Sequence, residues 1–180
     1  MERVKLATLW LGGCSGCHMS FLDLDEFLLE LTQFADIVYS PVIDRKDYPE
    51  GVDIALVEGA VANVEHLEII AKVRERTRLL VAFGDCAVTG NVTALRNPLG
   101  HALPVLDRAY LQDVAGQPRI PGEPGIIPAL LDHVLPVHEV VKVDGFLTGC
   151  PPEASRIRKL IEQLLAGGAP GLSGRDLSFG

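Results

Sequence analysis

The sequence predicts an α/β fold built on a parallel sheet. Three observations carry that expectation. Short, nearly continuous apolar runs recur along the chain, as expected of strands buried on both faces. Stretches with apolar residues at helical spacing lie between these runs. Three of the runs end at loops that pair glycine with cysteine.

Val4–Leu11 is the first such run, and Leu11-Gly-Gly-Cys14-Ser-Gly-Cys17-His18 is the turn that closes it. From His18 to Gln33 the pattern is helical, with Phe21, Leu24, Leu28 and Leu31 on one face and Asp23, Asp25, Glu26 and Glu30 elsewhere. Asp36–Ser40 and Val52–Glu58 read as strands separated by a polar turn. Asn63 is placed to cap a helix that runs to about Arg76, with Val64, Leu67, Ile70 and Val73 along one side. Arg78–Phe83 is the fourth strand, closed by Gly84-Asp85-Cys86.

Residues 96–125 break the rhythm. They are rich in proline and poor in periodicity, apart from a short helical stretch at Leu103–Tyr110. A loop of that length inside a compact domain is usually functional or disordered, and an ordered loop packed on a partner is the expectation. Ile126–Leu135 reads as a helix with Pro128 in its first turn. Val140–Leu147 is the last strand and ends at Thr148-Gly149-Cys150. Pro151 and Pro152 open a final helix with Ile157, Leu160, Ile161, Leu164 and Leu165 inward, stopped by Gly167-Gly168.

Five strands of this kind predict a flavodoxin-like, doubly wound parallel sheet, with the irregular insertion falling before its last strand. One domain spans residues 1–169, and 170–180 form a flexible Gly- and Ser-rich tail. Ligands of such sheets sit beyond the carboxyl ends of the strands. Cys14 and Cys17, Cys86 and Cys150 follow the first, fourth and fifth strands, so topology alone puts them on one edge.

Composition narrows the function. The net charge of −8 comes without any basic stripe, which sets nucleic acid aside. No apolar run reaches the length of a membrane span. The start, Met1-Glu-Arg-Val-Lys5, leads straight into a strand without the pattern of a secretory signal, so a cytoplasmic protein is expected. Only 22% of the residues are charged, and mean hydropathy is +0.25. That balance fits a subunit whose apolar surface partners cover.

Four cysteines in such a protein point to metal or redox chemistry before disulfides. Soft thiolates favour iron–sulfur clusters or zinc. Structural four-cysteine zinc sites usually bring two close pairs on small knuckles; here there is one pair and two single cysteines. Glycine beside each position lets backbone N–H groups approach cluster sulfurs. An iron–sulfur cluster is the leading expectation, with zinc next.

The motifs LGGCSGCHMSFL at 11–22, VEGAV at 57–61, FGDCAVTGNV at 83–92 and GCPP at 149–152 resemble, in order, the small subunit of nickel–iron hydrogenases. The likeness runs from Lys5 to about Leu165. The short chain, with no further cysteines, is similar to the small, or delta, subunit of soluble NAD-reducing (bidirectional) hydrogenases. The related complex I subunit typically has adjacent cysteines where this chain has Cys14-Ser-Gly-Cys17.

The resemblance implies that Cys14, Cys17, Cys86 and Cys150 ligate one [4Fe–4S] cluster next to a nickel–iron centre held by a large subunit. It implies hydrogen splitting in that partner and electron flow through this chain to flavin- and iron–sulfur-containing diaphorase subunits that reduce NAD⁺. A soluble hydrogenase with another acceptor, NADP among them, is the alternative within redox chemistry. A zinc-stabilised scaffold without redox role is the alternative outside it.

Glu58 ends the third strand beside the expected site. It is a candidate for tuning the cluster or moving protons, and equally for capping a helix or pairing with an arginine. His18 has no place in a four-cysteine ligand set and reads as a supporting or surface residue. Asp85 and Thr89 shape the loop around Cys86. His101, His133 and His138 show no ligand spacing. FMN is not expected, because the first strand–helix loop carries Cys14 and Cys17 in place of a Ser/Thr-rich phosphate cradle.

Overall fold

The structure is a computed structural model and describes residues 3–112 and 115–176. Five parallel strands form the central sheet: β1 (Val4–Trp10), β2 (Ala35–Tyr39), β3 (Val52–Glu58), β5 (Thr77–Phe83) and β7 (Gly145–Leu147). Their order is β2-β1-β3-β5-β7. This is the flavodoxin-like order, whose switch point lies between β1 and β3.

The apolar runs are continuous because both faces of the sheet are buried. Leu6, Ile54, Leu56, Val81 and Phe83 face one core, where helices α1 (Gly16–Leu22), α2 (Glu26–Leu31) and α6 (Ala154–Leu165) pack. Ala7, Leu9, Ala55, Val57, Leu80 and Ala82 alternate with them and face Ile70 and Val73 of α3 (Val64–Glu75). Asn63 caps α3 as expected, its side chain accepting the His66 N–H at 2.8 Å.

Three elements differ from the sequence expectation. The helix predicted over His18–Gln33 is two short helices, broken at Asp25, whose φ is +49°. Leu24 and Phe27, on either side of the break, are both buried in the first core. The helix predicted over Ile126–Leu135 is a strand, β6 (Leu130–Leu135), paired antiparallel with the short β4 (Val61–Asn63).

Tertiary partners decide this second case. Asn97 exchanges two 2.8 Å hydrogen bonds with Val134, as a neighbouring strand would. Arg96 donates to the carbonyls of Leu131 at 2.6 Å and Asp132 at 3.0 Å. Both side chains come from the insertion, through a 3-10 helix at Asn91–Leu99.

Thirdly, only Gly145–Leu147 of the expected 140–147 strand pairs in the sheet. Val140, Val141 and Val143 fill the second core instead. Asp144 stops the pairing by bonding across to Leu80: its carboxylate accepts the Leu80 N–H and its own N–H donates to Leu80 O, both at 2.8 Å.

The insertion also contains α5 (Leu103–Tyr110), the helix expected there. The tail expected to be loose from 170 packs on α6 through residue 176, with Leu172 in the core and Arg156 donating to the Asp176 carbonyl. Residues 177–180 lie outside the described residues. Among those described, no helix is long and apolar enough to cross a membrane.

Candidate metal centre

Three loops at the carboxyl edge of the sheet meet at one place. The first follows β1 and is held against the end of β3. Leu11 N–H donates to Glu58 O at 2.8 Å, and Gly12 exchanges two hydrogen bonds with Ala60, at 2.9 and 2.8 Å. A Cβ on Gly12 would stand 2.9 Å from Ala60 O, so only glycine permits this approach. Cys14 precedes α1 and is exposed, whereas Cys17 lies in its first turn and is buried.

The second loop follows β5, where Gly84 at φ +84° leads into α4 (Asp85–Thr89) and buried Cys86. The third follows β7 and carries exposed Cys150. These two loops are fastened to each other. Gly84 N–H donates to Leu147 O at 2.7 Å, and Asp85 N–H to Gly149 O at 2.9 Å. Asp85 Oδ1 accepts the Gly149 N–H in return, at 2.6 Å. Asp85 therefore does shape the loop, and Thr89 helps by donating its hydroxyl to the Asp85 carbonyl at 2.9 Å.

Cys14, Cys17, Cys86 and Cys150 line one cavity of about 50 Å³, with Glu58, Asp85, Gly16, Gly149 and Pro151 completing its wall. A single water needs roughly 10–15 Å³ on such a measure, so the space suits a group of several atoms. Among the described residues, no three His, Cys, Asp or Glu side chains close tightly enough to hold a lone ion. A Cβ on Gly84 would lie 2.2 Å from Cys17 Sγ, so the sulfur occupies space that glycine alone leaves. A larger open cavity of about 620 Å³, lined by Val52, Asp53, Thr77 and Arg78, lies at the amino ends of β3 and β5 and holds no cysteine.

The electrostatics ask for positive charge. Burial, then the negative charges at Glu58, Cys86, Cys14 and Cys150, push the Cys17 thiol far above its usual range. Burial, then Cys150, Cys14, Glu58 and Asp85, push the Cys86 thiol up to about 11. Converging thiolates repel one another, and a cationic metal group reverses that cost. An iron–sulfur cluster bound by four cysteines fits this donor set and this space.

Glu58 is 1% exposed and is held from behind by His18, itself 3% exposed. Oε2 of Glu58 accepts the His18 backbone N–H at 3.0 Å and contacts Nδ1 of the ring. Nε2 of His18 lies 3.0 Å from the Thr8 hydroxyl, which donates to Ser40 at 2.8 Å. His18 is thus a buried support for Glu58, with a role that its sequence position beside Cys17 did not disclose. Asn91 is the other residue that sequence reasoning passed over, and its Nδ2 lies 3.3 Å from Cys150 Sγ. Trp10 is half exposed at the end of β1, with its indole N–H toward Gly13 O at 3.4 Å. His101 and His133 are exposed, away from the thiols.

Fold and site together define a class: a flavodoxin-like domain that gathers four thiols at the carboxyl edge of its sheet. Comparison with known proteins makes that class specific. The pattern of the family described as NADH ubiquinone oxidoreductase, 20 Kd subunit, matches residues 14–164. The delta subunit of the NAD-reducing hydrogenase HoxS of Cupriavidus necator is 39% identical over 169 residues, covering 92% of this chain and 80% of that protein. A subunit of the F420-non-reducing hydrogenase of Methanothermobacter marburgensis is 36% identical over 173 residues, covering 92% of this chain and 54% of that one. The chain spans about half the length of such methanogen relatives.

A crystal structure of an NAD⁺-reducing [NiFe]-hydrogenase in the H₂-reduced state contains a chain that superposes with a TM-score of 0.93 at 39% identity, covering 99% of this chain and all of that one. The chain belongs to the NADH ubiquinone oxidoreductase 20 Kd subunit family, where it stands with the small subunits of [NiFe] hydrogenases.

Proposed function

We propose that this chain is the electron-transfer small subunit of a cytoplasmic NAD-reducing [NiFe] hydrogenase. In this reading Cys14, Cys17, Cys86 and Cys150 hold one [4Fe–4S] cluster. The nickel–iron centre that splits hydrogen belongs to a large subunit, and diaphorase subunits with flavin and iron–sulfur centres deliver the electrons to NAD⁺. The observation that carries the reading is the convergence of four thiols, from three strand ends, on one cavity. The delta-subunit relative and the closely superposing hydrogenase chain support the acceptor.

When bound, the cluster accepts and releases electrons one at a time. The chain's own residues position it. The Gly84–Leu147 and Asp85–Gly149 hydrogen bonds fix the Cys86 and Cys150 loops relative to each other. The Gly12–Ala60 pair fixes the Cys14–Cys17 loop to the end of β3. Glu58, clamped by His18, presents a carboxyl group at the cavity wall, where it tunes the cluster or passes a proton. Cys14 and Cys150 face outward while Cys17 and Cys86 face the core. The outward thiols mark the side on which an electron leaves or enters, because tunnelling partners must come close.

Apolar surface at the two ends of the insertion suits a subunit held between partners. Leu95 and Ile126 are each 76% exposed, and burying such side chains is favourable by roughly 1.5–3 kcal/mol apiece. The test is to purify the chain with its partners and measure iron, sulfide and hydrogen-driven NAD⁺ reduction, in wild type and in Cys86→Ser. The expected result is a brown wild-type protein with activity, and loss of both in the variant. A colourless, zinc-loaded wild type refutes the cluster.

A second reading differs only in the acceptor. The methanogen relative named as F420-non-reducing is nearly as similar as the NAD-reducing one, at 36% against 39% identity. Reduction of NADP⁺ or of an artificial dye, but not NAD⁺, by the hydrogen-fed complex establishes that alternative.

A further inference from the structure

Asn91 stands out among residues outside the cysteine set. Among the described residues it is one of three non-glycine residues with positive φ, at +37°, and it follows Gly90 at φ +82°. Asparagine tolerates this left-handed region better than most residues, yet the conformation is still uncommon and needs support from its surroundings. Thr89 supplies part of it, its hydroxyl oxygen accepting the Asn91 N–H at 3.3 Å. The consequence of the bend is specific. It aims the Asn91 side chain at the end of the neighbouring loop, where Nδ2 lies 3.3 Å from Cys150 Sγ.

We propose that Asn91 donates a hydrogen bond to the Cys150 sulfur and thereby raises the reduction potential of the group that Cys150 ligates. The inference rests on the iron–sulfur reading above. A sulfur bound to iron carries no proton and only accepts, so the amide must present its N–H₂ side. A donor to a ligand sulfur stabilises negative charge, and the reduced cluster is the more negative state. Cys150 is an outward-facing thiol, whose environment is the one a docking partner changes most. Asn91 also opens the 3-10 helix Asn91–Leu99, whose Val92, Leu95 and Leu99 are exposed.

The test compares wild type with Asn91→Gly and Asn91→Asp in the intact complex. Glycine keeps the left-handed backbone and removes the donor. Aspartate keeps the size and replaces the donor with an acceptor. Iron and sulfide content is measured first, then the potential of the cluster by redox titration followed by electron paramagnetic resonance.

Both variants are expected to retain the cluster. In Asn91→Gly the reduction equilibrium should move about tenfold toward the oxidised state, which for one electron is a 59 mV fall in potential, and in Asn91→Asp it should move further. An unchanged potential in Asn91→Gly, with full iron, overturns the inference and leaves the cluster reading intact. A shift in Asn91→Asp alone also overturns it, because charge and not the hydrogen bond is then responsible. A wild type without iron or sulfide removes the cluster reading and this inference with it.

Discussion

Replacing Gly84 by alanine is the sharpest probe of the thiol arrangement. Gly84 has φ +84° and ψ 160°, a region that is essentially restricted to glycine and costs other residues of order 1–3 kcal/mol. The added Cβ would also stand 2.2 Å from Cys17 Sγ and 3.5 Å from Gly149 O. The sulfur cannot retreat if it is held in the cavity, so loop or helix must shift, at about 1–3 kcal/mol for overpacking of this kind. The two contributions sum to roughly 2–6 kcal/mol, or about 4–24 °C in Tm for a chain of this length.

Gly100→Ala is the control. Gly100 has φ +80° with nothing within 4 Å of the added Cβ, so it reports backbone strain without the clash. Thermal unfolding, with iron and sulfide analysis, reads both variants. The expected result is a strongly destabilised, iron-poor Gly84→Ala beside a mildly destabilised, iron-replete Gly100→Ala. Equal effects in the two, with full iron in both, refute the placement of Cys17 against the Gly84 loop.

Three other outcomes follow from the geometry. His18→Ala leaves a buried carboxyl group without its ring partner and should lower stability by about 1–3 kcal/mol; a double-mutant cycle with Glu58→Gln should show coupling, and additive losses contradict the contact. Asp144→Asn should destabilise the protein more at neutral pH than in acid. Burial, which raises the Asp144 pKa, is outweighed by the Leu80 N–H and the Arg74 guanidinium, so its carboxyl is held below the ordinary value of 3.8. Its contribution is therefore complete above about pH 4 and lost as pH falls through the folded-state pKa, and denaturant melts at pH 7 and pH 3 check the difference. Alkylation of the chelator-stripped chain at pH 8, followed by peptide mass analysis, should label exposed Cys14 and Cys150 first. Cys17 and Cys86 are buried and their thiols are held protonated, so they should react more slowly.

Much of the site was legible from spacing, for a simple reason. A parallel sheet puts every strand's carboxyl end on one edge. A cysteine just past the end of an apolar run therefore lies on that edge whatever the details of the loop. That reasoning brought Cys14, Cys17, Cys86 and Cys150 to one place, where the structure has them lining a single cavity. Glu58 was legible in the same way, as the last residue of its strand. Its partner was not. His18 meets Glu58 across 40 positions of sequence, and no local pattern encodes that meeting. Asn91 was hidden for a similar reason, because its target Cys150 is 59 positions away.

The sequence by itself determined the layered architecture, since continuous apolar runs and 3.6-residue periodicity reflect burial on both sheet faces and on one side of each helix. It also determined the glycine-lined cysteine corners, because those demands are local. Only tertiary structure decided that Leu130–Leu135 is a strand, since Asn97 and Arg96 from the insertion satisfy its backbone. Only tertiary structure decided that the last strand is three residues long, since Asp144 spends its hydrogen bonds on Leu80 and Arg74. Gly145 then lies so close to the Pro170 carbonyl that no Cβ fits. In each case short-range preference was weak, and a partner distant in sequence supplied the hydrogen bonds that fixed the outcome.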